Sequence, residues 1–256
     1  MQEKAGLSET LELMKDLRRR CEWDAAQTHE SLRPYLLEEA YEVDDAIRAG
    51  DDTLLREELG DLLLQVLFHS VVAEERGAFD FADVAEGFLA KMKSRHPHLY
   101  GGGERQSWEG MKAVKRESIV DGLPVDLPAL HRAFRLQDRA AGVGFDWPDA
   151  EGPAAKVEEE LAEVRGEVAA GAPPAGYGVP AERLEEELGD LLFSVVNLCR
   201  KLGVHPSLAL DKANAKFATR FRGIEHLGKV RGIDVRTAGL EVLDGLWNEV
   251  KGVGDS

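Results

Sequence analysis

The 256-residue sequence predicts an all-α protein of tandem duplicated helical-bundle domains, and three observations carry that expectation. Leu59, Leu62, Leu63, Val66 and Leu67 form an apolar stripe at i, i+3, i+4, i+7 and i+8, the spacing of one helix face. Leu188, Leu191, Leu192, Val195 and Val196 repeat that stripe position for position. No segment alternates apolar and polar residues as a half-buried strand would, and no Asn-Gly pair signals a hairpin.

The punctuation agrees, element by element. Ala49-Gly50-Asp51-Asp52-Thr53 supplies a helix stop followed by an N-cap, and Gly77 follows the helix that carries the first stripe. Asp121-Gly122-Leu123-Pro124-Val125-Asp126-Leu127-Pro128 is the natural linker, dividing the chain into domains 1–122 and 123–256. Gly171 to Pro180, rich in Gly and Pro, interrupts the second helix pair where the first has only a short turn; it either borders the site or is mobile. Gly203-Val204-His205-Pro206 ends one helix and begins the next, with Pro206 suited to a first turn.

The halves match in their charged residues too. Glu38-Glu39-x-x-Glu42 is followed by Glu58-Leu59-Gly60-Asp61, and Glu159-Glu160-x-x-Glu163 by Glu187-Leu188-Gly189-Asp190. Lys91 and Arg95, then Trp108 and Lys112, follow in the first half; Lys216 and Arg220, then Trp247 and Lys251, follow in the second. Trp23 and Trp147 precede the respective acidic runs. The same order twice over marks a tandem duplication.

A single E-E-x-x-E is ordinarily a solvated helix face. Here each E-x-x-D sits in an apolar helix, where unpaired carboxylates are costly to bury. Acids at i, i+3 and i+4 share a face, and two facing helices gather several of them around one point. Such a cluster calls for a hard divalent cation. Oxygen donors alone suit Mg²⁺, with Mn²⁺ as the alternative, over Zn²⁺. A ferritin-like di-iron site needs E-x-x-H, and none of the seven histidines has a Glu three residues before it. His29, His96 and His98 lie near first-half motifs and are expected to make helix-end or core hydrogen bonds.

Composition narrows the partners. A net charge of −16 argues against nucleic acid or an anionic membrane as the main partner. No run of 18 apolar residues suggests a membrane span, and the first residues lack a leader pattern. Cys21 and Cys199 suggest no disulfide framework, so a reducing, cytoplasmic setting is expected.

The ordered set E-E-x-x-E, ELGDLL and K-x-x-x-R, with WDAAQT (23–28), YLLEEAYEV (35–43), RHPHLY (95–100), VGFDW (143–147) and KANAKFATRF (212–221), resembles the MazG-type nucleoside triphosphate pyrophosphohydrolases, members of the all-α NTP pyrophosphatase superfamily. The likeness covers nearly the whole chain. It implies hydrolysis of NTPs and dNTPs to monophosphate and pyrophosphate by water attack at the α-phosphorus, broad base specificity, a house-cleaning role and a homodimer. It also implies that the second half is the main catalytic unit.

On this reading Glu159, Glu160, Glu163, Glu187 and Asp190 are metal ligands or their neighbours, with Glu38, Glu39, Glu42, Glu58 and Asp61 as the first-half counterparts. Glu160 or Glu163 takes the water's proton. Lys216, Arg220 and Lys251 meet the charge of the departing pyrophosphate, Trp247 stacks on a base or packs in the core, and Asn214 and Arg183 are further substrate candidates. Lys91, Arg95, Trp108 and Lys112 are the first-half equivalents. The competing reading is a non-catalytic nucleotide-sensing module whose metal sites are structural.

Overall fold

The computed structural model describes residues 5–102, 118–171 and 182–254. Every regular element among them is helical, as expected. The chain separates into two compact units, Met1–Arg105 and Gln106–Ser256.

The first unit runs α1 Leu7–Arg20, α2 Glu22–Ala26, α3 His29–Ala49, α4 Asp52–Glu75, α5 Phe81–Ser94 and α6 Pro97–Tyr100. Thr28 and Ser31 cap α3 reciprocally, each side chain taking the other's backbone N–H. Gly50 stops α3 in the left-handed conformation, φ 66°, and Asp51 accepts from the N–H groups of Thr53 and Leu54 to start α4. The turn is so short that α3 and α4 form an antiparallel pair. Met14, Leu32, Leu67, Phe68, Val71 and Val72 make the core, with Leu11 and Phe81 packed against it. That core lies toward the C-terminal half of α4, which leaves the half carrying Glu58 and Asp61 less enclosed.

Arg18 braces this unit. Its guanidinium pairs with Glu75 on α4, donates to the carbonyls of Asp24 and Gln27 (3.0 Å for the latter), and lies 5.7 Å over the Phe68 ring. Nearby, His29 and His69 bring their Nδ1 atoms to 2.8 Å with nearly parallel rings. The sequence expectation of a core or helix-end partner therefore holds for His29, and His96 Nδ1 bonds the Met92 carbonyl at 2.8 Å.

The second unit runs α7 Ala129–Gly142, α8 Glu151–Ala169, α9 Glu182–Lys201, α10 Pro206–Arg231 and α11 Leu240–Gly254. Pro206 stands in the first turn of α10 and is buried. α8 and α9 form the helix pair equivalent to α3 and α4. The interruption expected between them falls on residues 172–181, outside the described residues. Gln137 on α7 donates to the Phe193 carbonyl on α9 at 2.8 Å. Asp146 binds Arg200 and Lys201, fixing the segment ahead of α8 to the end of α9. Arg139, almost wholly buried, donates to the carbonyls of Ile119, Asp121 and Gly122, so the start of the Pro-rich segment is tied to α7. α10 and α11 pack closely at Gly223, where a Cβ would meet Val250 at 2.9 Å, and Arg231 joins Glu249 through two hydrogen bonds.

Candidate metal centre

Helix geometry decides which acids meet. Consecutive residues on a helix point about 100° apart, so only one of two adjacent glutamates can face the partner helix. In the first unit that one is Glu39: it joins Glu58 and Asp61 of α4, with one carboxylate oxygen of each within 4.8 Å of the others. Glu38 is exposed on the neighbouring face. Glu39 is pushed above the usual carboxylate range, first by burial and then by repulsion from Asp61, Glu42 and Glu58. Glu58 moves the same way, through burial and then Glu42 and Asp61.

In the second unit the trio is Glu160, Glu163 and Glu187, again within 4.8 Å. Glu160 is 3% exposed. Its Oε1 lies 2.5 Å from Lys156 Nζ, which also reaches Glu159 Oε1 at 2.9 Å. The ammonium holds Glu160 below the usual carboxylate range, whereas Glu163 is raised by its shared hydrogen bond with Glu160, by burial and by repulsion from Glu160 and Glu187. Glu159 points outward, on the Lys156 side, and Asp190 stands one turn beyond Glu187 on an exposed face.

The donor set fits a hard cation. Three carboxylate oxygens within 4.8 Å of one another, all of them hard donors, would suit an ion that takes oxygen ligands. Glu160 Oε2 adds a second sign: it is buried and has no hydrogen-bond partner among the described residues. A buried carboxylate oxygen left unpaired is costly, and a cation there would satisfy it.

Behind Lys156 a cavity of about 430 Å³ opens between α7, α8 and α9, walled by Leu136, Gln137, Phe145, Trp147, Phe193 and Asn197. Trp147 reaches this wall by lying across Gly152 in the first turn of α8. A Cβ at Gly152 would stand 2.6 Å from the indole Cγ.

Most of the second-unit basic candidates sit on α10 and α11. Lys216 and Arg220 are one turn apart on α10, and the Arg220 guanidinium lies 5.9 Å over the Trp247 ring on α11. Phe217 packs on the same indole at 5.4 Å. Asn214 and Lys251 are exposed on α10 and α11. Arg183 pairs with Glu167 across the α8–α9 pair at 3.2 Å. In the first unit Lys91 lies in the last turn of α5 and Arg95 caps it, while Trp108 and Lys112 fall outside the described residues. Sequence reasoning overlooked Lys156 and the Trp147 wall. The K-x-x-E-E spacing was the available signal for the first.

Comparison with known proteins follows this geometry closely. The model of the MazG nucleotide pyrophosphohydrolase domain matches residues 27–100 and again 151–223, spans that contain both trios, Lys156, and the Lys91/Arg95 and Lys216/Arg220 pairs. The chain is 44% identical over 253 residues to the nucleoside triphosphate pyrophosphohydrolase/pyrophosphatase MazG of Thermotoga maritima, covering 95% of both chains. It is 41% identical over 253 residues to a nucleoside triphosphate pyrophosphohydrolase of Escherichia coli K12, covering 94% of both. A protein of that name from Mycobacterium tuberculosis is 39% identical over 168 residues, 62% of this chain and 50% of the relative.

Proposed function

The chain belongs to the MazG nucleotide pyrophosphohydrolase family, and from that premise we propose that it hydrolyses nucleoside triphosphates to monophosphates and pyrophosphate at the carboxylate trio of the second unit, with Mg²⁺ as the cation. The observation that carries the choice of site is Glu160: a buried carboxylate with one oxygen on an ammonium and the other unpaired.

Glu160, Glu163 and Glu187 would hold the cation, with Asp190 a turn away. When bound, it supplies charge neutralisation for the triphosphate and Lewis acidity at the reacting centre. Water attacks the α-phosphorus opposite the α–β bridging oxygen. The bond between that oxygen and the α-phosphorus breaks, and the water's proton passes to a glutamate. Glu163, exposed where Glu160 is buried against Lys156, has the freer carboxylate for that role. The leaving pyrophosphate needs further cations; Lys156 is nearest the trio, and Lys216, Arg220 and Lys251 are the cationic groups of α10 and α11.

Base tolerance has a physical source. The cavity beside Lys156 is mostly apolar and flanked by aromatic rings, and stacking accepts any base. Trp247 is engaged by Phe217 and Arg220, so it serves better to hold Arg220 than to receive a base. A homodimer fits the apolar faces left open on the paired helices, among them Leu59, Leu63 and Leu64 on α4 and Leu188, Leu192 and Phe193 on α9. No helix among the described residues is long and apolar enough to cross a membrane.

The test is pyrophosphate release from a panel of NTPs and dNTPs with and without Mg²⁺, on the full chain and on the variants Glu187→Gln and Glu58→Gln. Turnover lost in Glu187→Gln and kept in Glu58→Gln supports the proposal. Loss in Glu58→Gln alone moves the reaction to the first unit, and no product from any nucleotide leaves the regulatory-module reading.

A further inference from the structure

The two carboxylate trios come from one motif but draw on different members of it, Asp61 in the first and Glu163 in the second, and they differ again one turn earlier on their helices. Four residues before Glu160 stands Lys156, with its ammonium on the buried carboxylate. Four residues before Glu39 stands Tyr35, whose ring packs edge-on to Trp23 at 6.0 Å. An aromatic ring offers no charge to the acids beside it. The first trio therefore keeps its full mutual repulsion, while the second carries an internal cation.

We infer that Lys156 is a resident counter-ion that competes with the divalent cation for Glu160, so that metal alone fills the first unit more tightly than the second. This rests on the reading of both trios as metal sites. A cation on the free Oε2 of Glu160 would share that carboxylate with the ammonium on Oε1, leaving two positive charges in a half-enclosed site unless the ammonium withdraws. Withdrawing it costs the pair and the ordered side chain. The first unit binds the same ion with nothing to displace, and with more repulsion to relieve. The duplication thus yields two cation sites of unequal appetite from nearly the same acidic pattern.

The outward pairing with Glu159 shows how the exchange proceeds. Lys156 already shares its ammonium between Glu159, 58% exposed, and the buried Glu160. On metal entry it can retreat toward Glu159 without a change in the helix.

Mn²⁺ without nucleotide, followed by the electron paramagnetic resonance signal of the free ion, is the test. The full-length protein should show two classes of site at least about tenfold apart in affinity. Glu58→Gln should remove the tight class and Glu187→Gln the weak one. Lys156→Met should tighten the weak class by about tenfold and leave the tight class alone, with Lys156→Gln as a second variant. Tyr35→Lys should weaken the tight class relative to Tyr35→Met, which controls for the lost ring contact. Circular dichroism confirms that each variant keeps its helices. An unchanged or weakened second class in both Lys156 variants overturns the inference. If instead Glu58→Gln and Glu187→Gln both leave Mn²⁺ binding as it was, the metal-site reading itself falls.

Discussion

Replacing Gly152 by Ala sets two opposed effects against each other, and the sign of the result reports on Trp147. Gly152 lies in the first turn of α8, where Ala is favoured over Gly by up to about 1 kcal/mol in a helix interior and less near an end. On propensity alone the change stabilises. The added Cβ, however, would stand 2.6 Å from Trp147 Cγ, with Cδ1 and Nε1 also in its way. Turning the ring moves Cδ1 and Nε1 but leaves Cγ, its point of attachment, at 2.6 Å, so the side chain must leave its seat. Trp147 is 41% exposed, so roughly 150 Å² of a large aromatic surface is covered; at about 25 cal/mol per Å² that is an upper bound near 4 kcal/mol. Partial retention halves it, and the net expectation is a loss of about 1–2 kcal/mol. The same movement opens the cavity wall beside Lys156, so KM for nucleotide should rise several-fold with a smaller change in kcat. Urea unfolding of Gly152→Ala, Trp147→Ala and the double variant closes the cycle. In the Trp147→Ala background Gly152→Ala should become neutral or stabilising. Stabilisation of the otherwise wild-type protein by Gly152→Ala would mean that Trp147 is not held across the first turn of α8.

Arg18→Met keeps apolar bulk but leaves the Gln27 carbonyl and Glu75 without the Arg18 donor and the Asp24 carbonyl with the Gln27 N–H alone; with the pair to half-exposed Glu75 discounted, a loss of about 2 kcal/mol is expected for the first unit, read from Trp23 fluorescence in urea. Burial and the neighbouring His29 hold His69 below its ordinary pKa, so the unfolded chain binds the extra proton first; stability should be full above about pH 6.5 and fall as pH drops through the window below it, and His69→Gln should flatten that dependence. Asp146 is held below the usual carboxylate range by Arg200 and then Lys201, so its contribution is present above the unfolded value near pH 4 and lost on acidification through the lower folded value; Asp146→Asn should remove that acid-side slope in denaturation curves. Removal of divalent cations by EDTA should abolish pyrophosphate release and leave the helical circular dichroism intact, because the core of the first unit lies apart from its acidic trio.

Much of this was legible in the sequence because it is local. The stop at Gly50, the cap at Asp51 and the first-turn Pro206 depend on residues within one turn, and the acidic motif depends on spacing along one helix. The choice between adjacent glutamates was not legible. Glu38 and Glu39, or Glu159 and Glu160, differ only in which way they face, and that is set by how α3 meets α4 and α8 meets α9. Lys156 was hidden for a related reason: a Lys three and four residues before two glutamates reads as a surface pair until one of those glutamates is found buried. Arg18 reaches Glu75 across 57 residues, and Gln137 reaches Phe193 across 56, so neither contact leaves a trace in the local pattern.

Arg139 grips the chain at Ile119, Asp121 and Gly122 by their carbonyl oxygens. Every residue carries a carbonyl, so this clamp is indifferent to side-chain identity and sensitive to length. Substitutions there pass unnoticed by Arg139, whereas an inserted or deleted residue moves a different side chain to the place of Val120 on the cavity wall. The segment is in effect a ruler: spelling can drift along it, but its frame is held, and with it the shape of the pocket it helps to close.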